Sequence, residues 1–285
     1  MQKVENIDET PLLQSTCYRQ PFLYQKDVEI WNESNLETMA NMSDCFVDLV
    51  VTSPPYDGLR TYNGYSFPFE EIAKELYRIT KDGGVVVWVV GDATVNGSES
   101  GTSFKQALYF MQCGFNLYDT MIYATNKPPQ NSGRYEPEFE YMFVFCKGKP
   151  NTFTPIKRKR KWDDKRKEKA YHRATDGNMD KKKKTNVDEC VIGNIWYYET
   201  GGGLTTSDKI AFKHPAIFPE QLAEDCIYTW SKEGDVIYDC FGGSGTTVKM
   251  AHKWKRKSIM SEISLEYCQI AKKRIEPYLM QERLF

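Results

Sequence analysis

The spacing of apolar and polar residues divides most of the chain into alternating strands and helices. Short apolar runs predict buried strands, and apolar residues at every third or fourth position predict amphipathic helices. The predicted strands cover residues 28–31, 46–53, 83–92, 116–125, 140–148, 195–199, 235–241 and 257–263. The predicted helices cover residues 69–80, 103–114, 219–231 and 264–279, with a loop that enters a further helix over 243–254. This alternation predicts an α/β fold with a mainly parallel sheet, in which residues 116–125 and 140–148 form an antiparallel edge hairpin.

The same pattern divides the chain into four parts. Residues 1–26 are predicted to form an irregular N-terminal arm, and residues 27–150 the first half of the α/β domain. The periodicity stops near Pro150. Residues 151–210 are too long for an ordinary loop, so they predict a functional insertion or a small subdomain. Residues 211–285 complete the α/β domain.

Charge is distributed unevenly along the chain. Residues 157–184 hold 14 Lys and Arg against 5 Asp and Glu, a net charge of +9, so the rest carries −10 of the total of −1. A basic segment on an otherwise acidic protein is typical of a local contact with a polyanion. A solvated, flexible charged loop is the alternative.

The composition is typical of a globular protein of the cytoplasm. Apolar residues make up 40% and charged residues 27% of the chain, as in globular proteins. The sequence holds no long apolar run that could span a membrane and no apolar signal core near Met1, which predicts a cytoplasmic protein. Eight cysteines without a CxxC pair and three histidines away from any such pair predict reduced thiols and no metal site.

A glycine-rich loop follows the predicted strand 235–241. It reads DCFGGSGTT over residues 239–247, and its glycines allow a sharp turn and a close approach to a ligand. Glu262 lies 17 positions after Gly245, at the end of the next strand, where a carboxylate can reach ribose hydroxyls. The loop fits FxGxG better than the dinucleotide pattern GxGxxG. It predicts a nucleoside cofactor, and a purely structural turn is the alternative.

A second motif ends the buried strand 46–53. It consists of Thr52, Ser53, Pro54, Pro55 and Tyr56. The two prolines hold the backbone extended and remove two N–H donors, which leaves carbonyls free to accept hydrogen bonds. A substrate NH₂ group is such a donor, and the tyrosine offers a flat face on which a base can stack. An ordinary Pro-Pro turn is the alternative.

Together the two motifs resemble those of the DNA amino-methyltransferases. That family has the catalytic signature (Asp/Asn/Ser)-Pro-Pro-(Tyr/Phe) and the cofactor signature FxGxG. The order of catalytic motif, basic insertion and cofactor loop resembles its β group, and the resemblance covers residues 27–280. It implies a Rossmann-like, S-adenosylmethionine-dependent methyltransferase fold. Residues 27–150 would be its catalytic half, 151–210 its target-recognition insertion and 211–285 its cofactor-binding half.

The resemblance also implies roles for individual residues. The catalytic ones are Ser53, Pro54, Pro55 and Tyr56. The cofactor-binding ones are Asn32, Thr52, His214, Pro215, Asp239, Cys240, Phe241, Gly243, Gly245, Thr246 and Glu262, with Phe212 as a further candidate. Relatives usually carry Gly-Asp at the end of the first strand, so Asn32 is a departure that puts the adenine contact there in doubt. His214 has the alternative role of a structural cap, and Asp57 and Asp92 are more typical of caps than of catalysts.

Duplex DNA is the partner that the resemblance implies. Seven basic residues are expected to neutralise phosphates: Lys157, Arg158, Lys159, Arg160, Lys161, Lys182 and Lys183. Base reading needs side chains such as Arg134, Arg173, Asn178 or Asn186 in the major groove. A homodimer and a cognate restriction endonuclease stay open as further partners. The expected setting is the cytoplasm of a bacterial or phage-infected cell.

The implied reaction moves a methyl group from S-adenosylmethionine to the exocyclic amine of a flipped base. Ser53 in the first motif position favours cytosine N4, with adenine N6 as the alternative. A non-catalytic DNA-binding protein would need neither pocket, and a nicotinamide dehydrogenase would leave Ser-Pro-Pro-Tyr unexplained. RNA or protein amide methyltransferases usually carry the cofactor motif ahead of the catalytic one, opposite to the order here.

Overall fold

The computed structural model describes residues 20–55, 67–126, 133–159, 171–173, 178–181, 188–201, 203–217 and 219–280. The chain forms two compact units. The first comprises residues 1–154 and 194–285, and the second comprises residues 155–193. Residues 151–154 and 194–210 of the predicted insertion therefore belong to the first unit.

The strands and helices that the pattern predicts are all present, with their ends shifted by a few residues. The strands are β1 (Leu23–Gln25), β2 (Val28–Trp31), β3 (Val47–Thr52), β4 (Thr80–Val90), β5 (Thr94–Val95), β6 (Ser98–Glu99), β7 (Asn116–Thr125), β8 (Phe139–Cys146), β9 (Lys157–Lys159), β10 (Tyr171–Arg173), β11 (Met179–Lys181), β12 (Glu189–Val191), β13 (Ile195–Tyr198), β14 (Val236–Asp239) and β15 (Lys257–Ser261). The helices are α1 (Asn35–Ala40), α2 (Phe69–Ile79), α3 (Thr102–Gln112), α4 (Glu220–Trp230), α5 (Thr246–Lys253) and α6 (Leu265–Met280), with a 3₁₀ helix at Lys209–Lys213.

Nine of the described strands form one sheet in the first unit. Their order is β1-β2-β15-β14-β3-β4-β8-β7-β13. The central strands β2, β15, β14, β3 and β4 run parallel, and β8 pairs antiparallel with both β4 and β7. The predicted hairpin is thus present, but it does not form the edge. The edge strand on this side of the sheet is β13, which pairs parallel with β7 through Ile195 and Ile122.

Several short elements were missed by the sequence pattern. The arm predicted to be irregular contains β1, which pairs antiparallel with β2 through Leu23 and Ile30. Helix α1 begins at a capping box, in which Ser34 and Glu37 satisfy each other's backbone N–H groups. Elements of three to six residues are too short for a period of 2 or 3.6 to become visible.

The second unit contains two short antiparallel strand pairs. Strand β9 pairs with β12 through Arg158 and Cys190, and β10 pairs with β11 through His172 and Asp180. The sequence pattern identified no strand in residues 155–193, so both pairs were missed. Charged residues dominate both pairs in sequence, so hydrophobic periodicity could not reveal them.

Helices cover both faces of the sheet. One apolar cluster joins α1, α2 and α3 to the sheet and includes Met39, Leu76, Trp88 and Phe110. The other joins α5 and α6 to strands β2 and β15 through residues such as Val248 and Ala271. In the described ranges, no helix is long and apolar enough to cross a membrane.

The strand order changes direction between β14 and β3. From β3 the chain passes through α2 to β4 on one side, and from β14 it passes through α5 to β15 on the other. The connections after β3 and β14 therefore lead to opposite sides of the sheet, and such a strand order places a crevice at the carboxyl ends of the two strands. Open α/β sheets bind their ligands at such a switch point. Both motifs singled out in the sequence lie there.

Candidate active site

A buried hydrogen bond joins the two motifs across the switch point. The Thr52 hydroxyl, at the end of β3, donates to Asp239 Oδ1 at the end of β14 over 2.7 Å. The backbone N–H of Phe241 donates to the same oxygen over 3.1 Å. Asp239 is 2% exposed. The carboxylate therefore fixes Thr52, directly before Ser53, against the start of the glycine loop.

Asp239 lies in a buried environment that disfavours its charged form, and hydrogen bonds from its neighbours offset only part of this effect. Burial raises the pKa of this carboxyl, while hydrogen bonds from Thr247, Thr52 and the Phe241 backbone lower it. The described bonds of Asp239 lie within the protein. Its predicted contact with the cofactor stays a prediction.

Cys240 and Phe241 lie in the wall of the same crevice. Cys240 is buried with its Sγ 3.7 Å from the Thr52 hydroxyl oxygen, and burial raises the pKa of its thiol well above the ordinary value. Its carbonyl accepts a hydrogen bond from Asn35 Nδ2 over 3.1 Å. The Phe241 ring packs edge-on against Phe67 and Trp88. These contacts fix the strand-to-loop transition from several sides.

Two glycines of the loop cannot be replaced without strain. Gly243 and Gly245 have φ values of +49° and +79°, in the left-handed region that side chains rarely adopt. A Cβ on Gly243 would lie 2.9 Å from His214 Nε2, and one on Gly245 would lie 2.8 Å from the Ala271 Cβ. The loop is therefore packed closely on both sides, and it leads directly into α5 at Thr246.

Glu262, at the end of β15, is bound to the glycine loop. Its Oε2 accepts from the Gly243 N–H over 2.9 Å, and its Oε1 accepts from the Ser264 N–H over 2.8 Å. Burial raises the pKa of this carboxyl, and the two backbone bonds oppose that shift. Asn32 Nδ2 donates to the carbonyls of Glu262 and Ile263 over 3.0 and 3.1 Å. The structure thus brings together three residues that were predicted to bind the cofactor: Asn32, Gly243 and Glu262.

His214 lies directly against the loop. It is buried, its ring contacts the Tyr267 ring edge-on at 4.3 Å between centroids, and its Nδ1 accepts from the Ala216 N–H over 3.1 Å. The bond from Ala216 is the one expected of a structural cap, which was the alternative role of this histidine. The Nε2 edge of the ring faces Gly243. Pro215 and Phe212 are exposed beside it.

The residues predicted to be catalytic follow β3. Ser53 and Pro55 are half-buried and Pro54 is buried, in non-regular backbone directly after the strand. Tyr56 and Asp57 lie outside the described residues. Asp92, at the same edge, accepts from the Ser103 N–H in the first turn of α3 over 2.9 Å, which is the capping role expected of it.

Sequence reasoning missed four charged side chains behind the loop: Asp208, Glu220, Lys249 and Arg274. They form ion pairs of 2.6 to 3.1 Å. The sequence did contain one sign of this cluster. Arg274 lies three residues after Ala271 and directly before Ile275, so it places a cation on the apolar face of a predicted helix. Within the described ranges, no group of three or more His, Cys, Asp or Glu side chains could hold a metal ion.

The residues predicted to contact DNA are partly described. Arg134 is exposed and donates to the Gly97 carbonyl. In the second unit, Lys157, Arg158 and Lys159 are exposed on β9, and Lys157 lies 3.9 Å from Glu189. Asn178 is exposed. Outside the description lie Arg160, Lys161, Lys182, Lys183, Asn186 and the side chain of Arg173.

Comparisons with known proteins agree with this geometry. A family model described as DNA methylase matches residues 47–273. The orphan methyltransferase M.BamHII of Bacillus amyloliquefaciens is 56% identical over 247 residues, covering 84% of this chain and 92% of that protein. The structure of the PvuII DNA methyltransferase (cytosine-N4-specific) is 18% identical with a TM-score of 0.67, covering 94% of this chain and 91% of that one. The M1.HpyAVI–SAM complex is 21% identical with a TM-score of 0.57, covering 87% and 99%.

These matches confirm the family and the methyltransferase fold that the two motifs predicted. The family model spans most of the chain, from β3 to α6. This chain belongs to the DNA methylase family, as a β-group amino-methyltransferase of the restriction–modification type.

Proposed function

We propose that the chain transfers the methyl group of S-adenosylmethionine to N4 of a cytosine flipped out of duplex DNA. The observation that carries this proposal is the Thr52–Asp239 hydrogen bond of 2.7 Å across the switch point. Because of it, Ser53 at the end of β3 lies beside the glycine loop at the end of β14. A base at the first motif and a cofactor at the second would therefore meet in one crevice.

The residues of the second motif, together with Glu262, suit a nucleoside cofactor. Gly243 and Gly245 allow the left-handed turn of the loop, and the Glu262 carboxylate keeps lone pairs on both oxygens for ribose hydroxyls. Asn32 lies at the same edge, where it fixes the backbone that follows Glu262. When bound, S-adenosylmethionine supplies an electrophilic methyl group on its sulfonium.

The first motif provides acceptors for the amine. An exocyclic amine is a poor nucleophile because its lone pair is delocalised into the ring. The Ser53 hydroxyl and the Pro54 carbonyl can accept its N–H bonds, which draws the nitrogen towards tetrahedral geometry and aims its lone pair at the methyl group. Such positioning can carry much of the rate without a covalent enzyme intermediate.

The target base has to leave the duplex to reach this crevice. Flipping costs a few kcal/mol, which binding contacts have to offset. Tyr56, directly after Pro55 in the chain, offers a flat face for stacking. We assign to the exposed cations of β9, and to the basic segment around it, the role of neutralising phosphates, which gives salt-dependent affinity without sequence reading.

Cytosine N4 is preferred over adenine N6 on two grounds. Ser53 occupies the first motif position, where Ser favours cytosine by the family resemblance. The PvuII neighbour is described as cytosine-N4-specific. We place the reaction in the cytoplasm. Because the relative M.BamHII is described as an orphan methyltransferase, we favour action without a cognate restriction endonuclease.

The purified chain is expected to produce N4-methylcytosine when incubated with S-adenosylmethionine and mixed-sequence duplex DNA. The measurement is mass spectrometry of the nucleosides after DNA hydrolysis, with S-adenosylhomocysteine in place of the methyl donor as the control. N6-methyladenine would overturn the choice of base and keep the proposed mechanism. A cofactor-bound chain that methylates neither base, over a DNA pool containing every short site, would overturn the proposal.

A further inference from the structure

Four charged side chains are buried together behind the glycine loop. The side chains of Arg274 and Lys249 are 0% and 2% exposed, and those of Asp208 and Glu220 are 20% and 18% exposed. Both cations reach both carboxylates, at distances between 2.6 and 3.1 Å. Two positive and two negative charges make the cluster neutral, which a largely desolvated site requires.

Arg274 differs from Lys249 because it also holds the loop. Its Nη1 donates to the Ser244 carbonyl over 2.7 Å, to the Ser244 hydroxyl over 2.8 Å and to the Thr246 hydroxyl over 3.1 Å. Its Nε and Nη2 point the other way, to Asp208 and Glu220. A guanidinium can serve both sides at once because its donors form a rigid planar fork.

The two carboxylates, Asp208 and Glu220, lie at the two ends of the segment that carries His214. Asp208 precedes the 3₁₀ helix Lys209–Lys213, and Glu220 opens α4, so the segment between them carries His214 and Pro215. The Thr206 hydroxyl donates to Glu220 over 2.6 Å. Arg274 therefore bonds to the glycine loop on one side and to both ends of the His214 segment on the other.

We propose that Arg274 is a positioning residue for the cofactor, which sets the distance between the glycine loop and the His214 segment. The proposal rests on the cofactor site assigned above. In it, the guanidinium touches no substrate. It holds the Ser244 carbonyl so that the backbone of Gly243 faces Glu262 and His214 in the geometry that binds S-adenosylmethionine.

Lys249 supplies a matched control for this role. Its ammonium donates to the same two carboxylates over 2.7 Å each and lies 4.7 Å from the centre of the Tyr278 ring. Among the contacts of the described residues, it has none with Ser244. Loss of either cation removes one charge from the same cluster, but only the loss of Arg274 releases the loop.

The test compares two double variants that both keep the cluster neutral. R274M/E220Q leaves the Lys249–Asp208 pair, and K249M/E220Q leaves the Arg274–Asp208 pair together with the loop contacts. Replacing a buried ion pair by neutral side chains is often tolerated, whereas removing one partner leaves an uncompensated charge. Titration calorimetry with S-adenosylmethionine, without DNA, gives the Kd for the cofactor, and thermal unfolding gives the stability of each variant.

R274M/E220Q is expected to raise the Kd for S-adenosylmethionine about tenfold, as the loss of hydrogen bonds from a charged donor predicts. K249M/E220Q is expected to change it less than about threefold at a similar melting temperature. In turnover, the Arg274 variant should raise KM for the cofactor more than it lowers kcat, with duplex DNA binding unchanged.

Equal Kd changes in the two double variants, or a wild-type Kd in R274M/E220Q, would overturn the proposal. Should R274M/E220Q not fold, R274K keeps the charge but lacks the fork, and the same increase in Kd is expected of it. The binding measurement does not depend on DNA. A wild-type chain that binds the cofactor but methylates no DNA would contradict the proposed function alone.

Discussion

Replacing Asp239 by alanine is expected to lower the free energy of unfolding by about 3 kcal/mol or more and to abolish measurable cofactor binding. The change leaves the Thr52 hydroxyl and the Phe241 N–H without their acceptor in a buried place. Each unsatisfied buried group costs about 1–3 kcal/mol. The glycine loop and the end of β3 would lose the contact that joins them. Denaturant unfolding and titration calorimetry with S-adenosylmethionine measure the two effects.

Asp239→Asn is the matched control. Its side-chain oxygen can accept both bonds, and because burial raises the pKa of Asp239, loss of the charge costs little. A raised folded-state pKa means that ionisation weakens the fold as pH rises from the ordinary 3.8 through the raised value. The stability of the wild type relative to Asp239→Asn should therefore fall over that pH range. Equal losses of stability and of cofactor binding in the Ala and Asn variants would contradict the role of Asp239 Oδ1 as the shared acceptor for Thr52 and Phe241.

Replacing Tyr56 by alanine is expected to reduce methyl transfer to duplex DNA by about 100-fold and to leave the cofactor Kd unchanged. Stacking of a base on an aromatic side chain contributes about 1–3 kcal/mol, which corresponds to about 5- to 150-fold. Tyr56 directly follows Pro55, where the described chain leaves β3 at the base side of the crevice. Initial rates with tritiated S-adenosylmethionine measure the effect.

Tyr56→Phe separates stacking from the hydroxyl. Phenylalanine keeps the flat face, and the family signature accepts Tyr or Phe at this position. The Phe variant should therefore retain most of the wild-type rate. A loss as large as that in Tyr56→Ala would assign the contribution of Tyr56 to its hydroxyl instead.

Much of the fold and the centre of the site could be predicted because they depend on local signals. Long strands such as β4 and helices such as α2 show their period directly in the sequence. Both motifs follow predicted strands, and the carboxyl ends of parallel strands meet at one edge of a sheet. The meeting of the two motifs at one edge of the sheet was therefore predictable from two local patterns and one rule of topology.

What could not be predicted depends on contacts distant in sequence. Arg274 and Asp208 are 66 residues apart, and neither belongs to a recognised motif. The pairing of β13 with β7, which moves the hairpin away from the edge, joins segments about 70 residues apart. The bond between Thr52 and Asp239 spans 187 residues. The sequence shows that Arg274, Asp208, Thr52 and Asp239 are polar, but only the folded structure shows which groups they bind.

Photocrosslinking of radiolabelled S-adenosylmethionine, with the labelled peptides mapped by mass spectrometry, tests the central claim most directly. We expect label in the peptides that carry residues 239–246, 262 and 214–215, competed by S-adenosylhomocysteine and not by NAD. Label confined to other parts of the chain, or competition by NAD, would contradict a methyl-donor site in the crevice between β14 and β3.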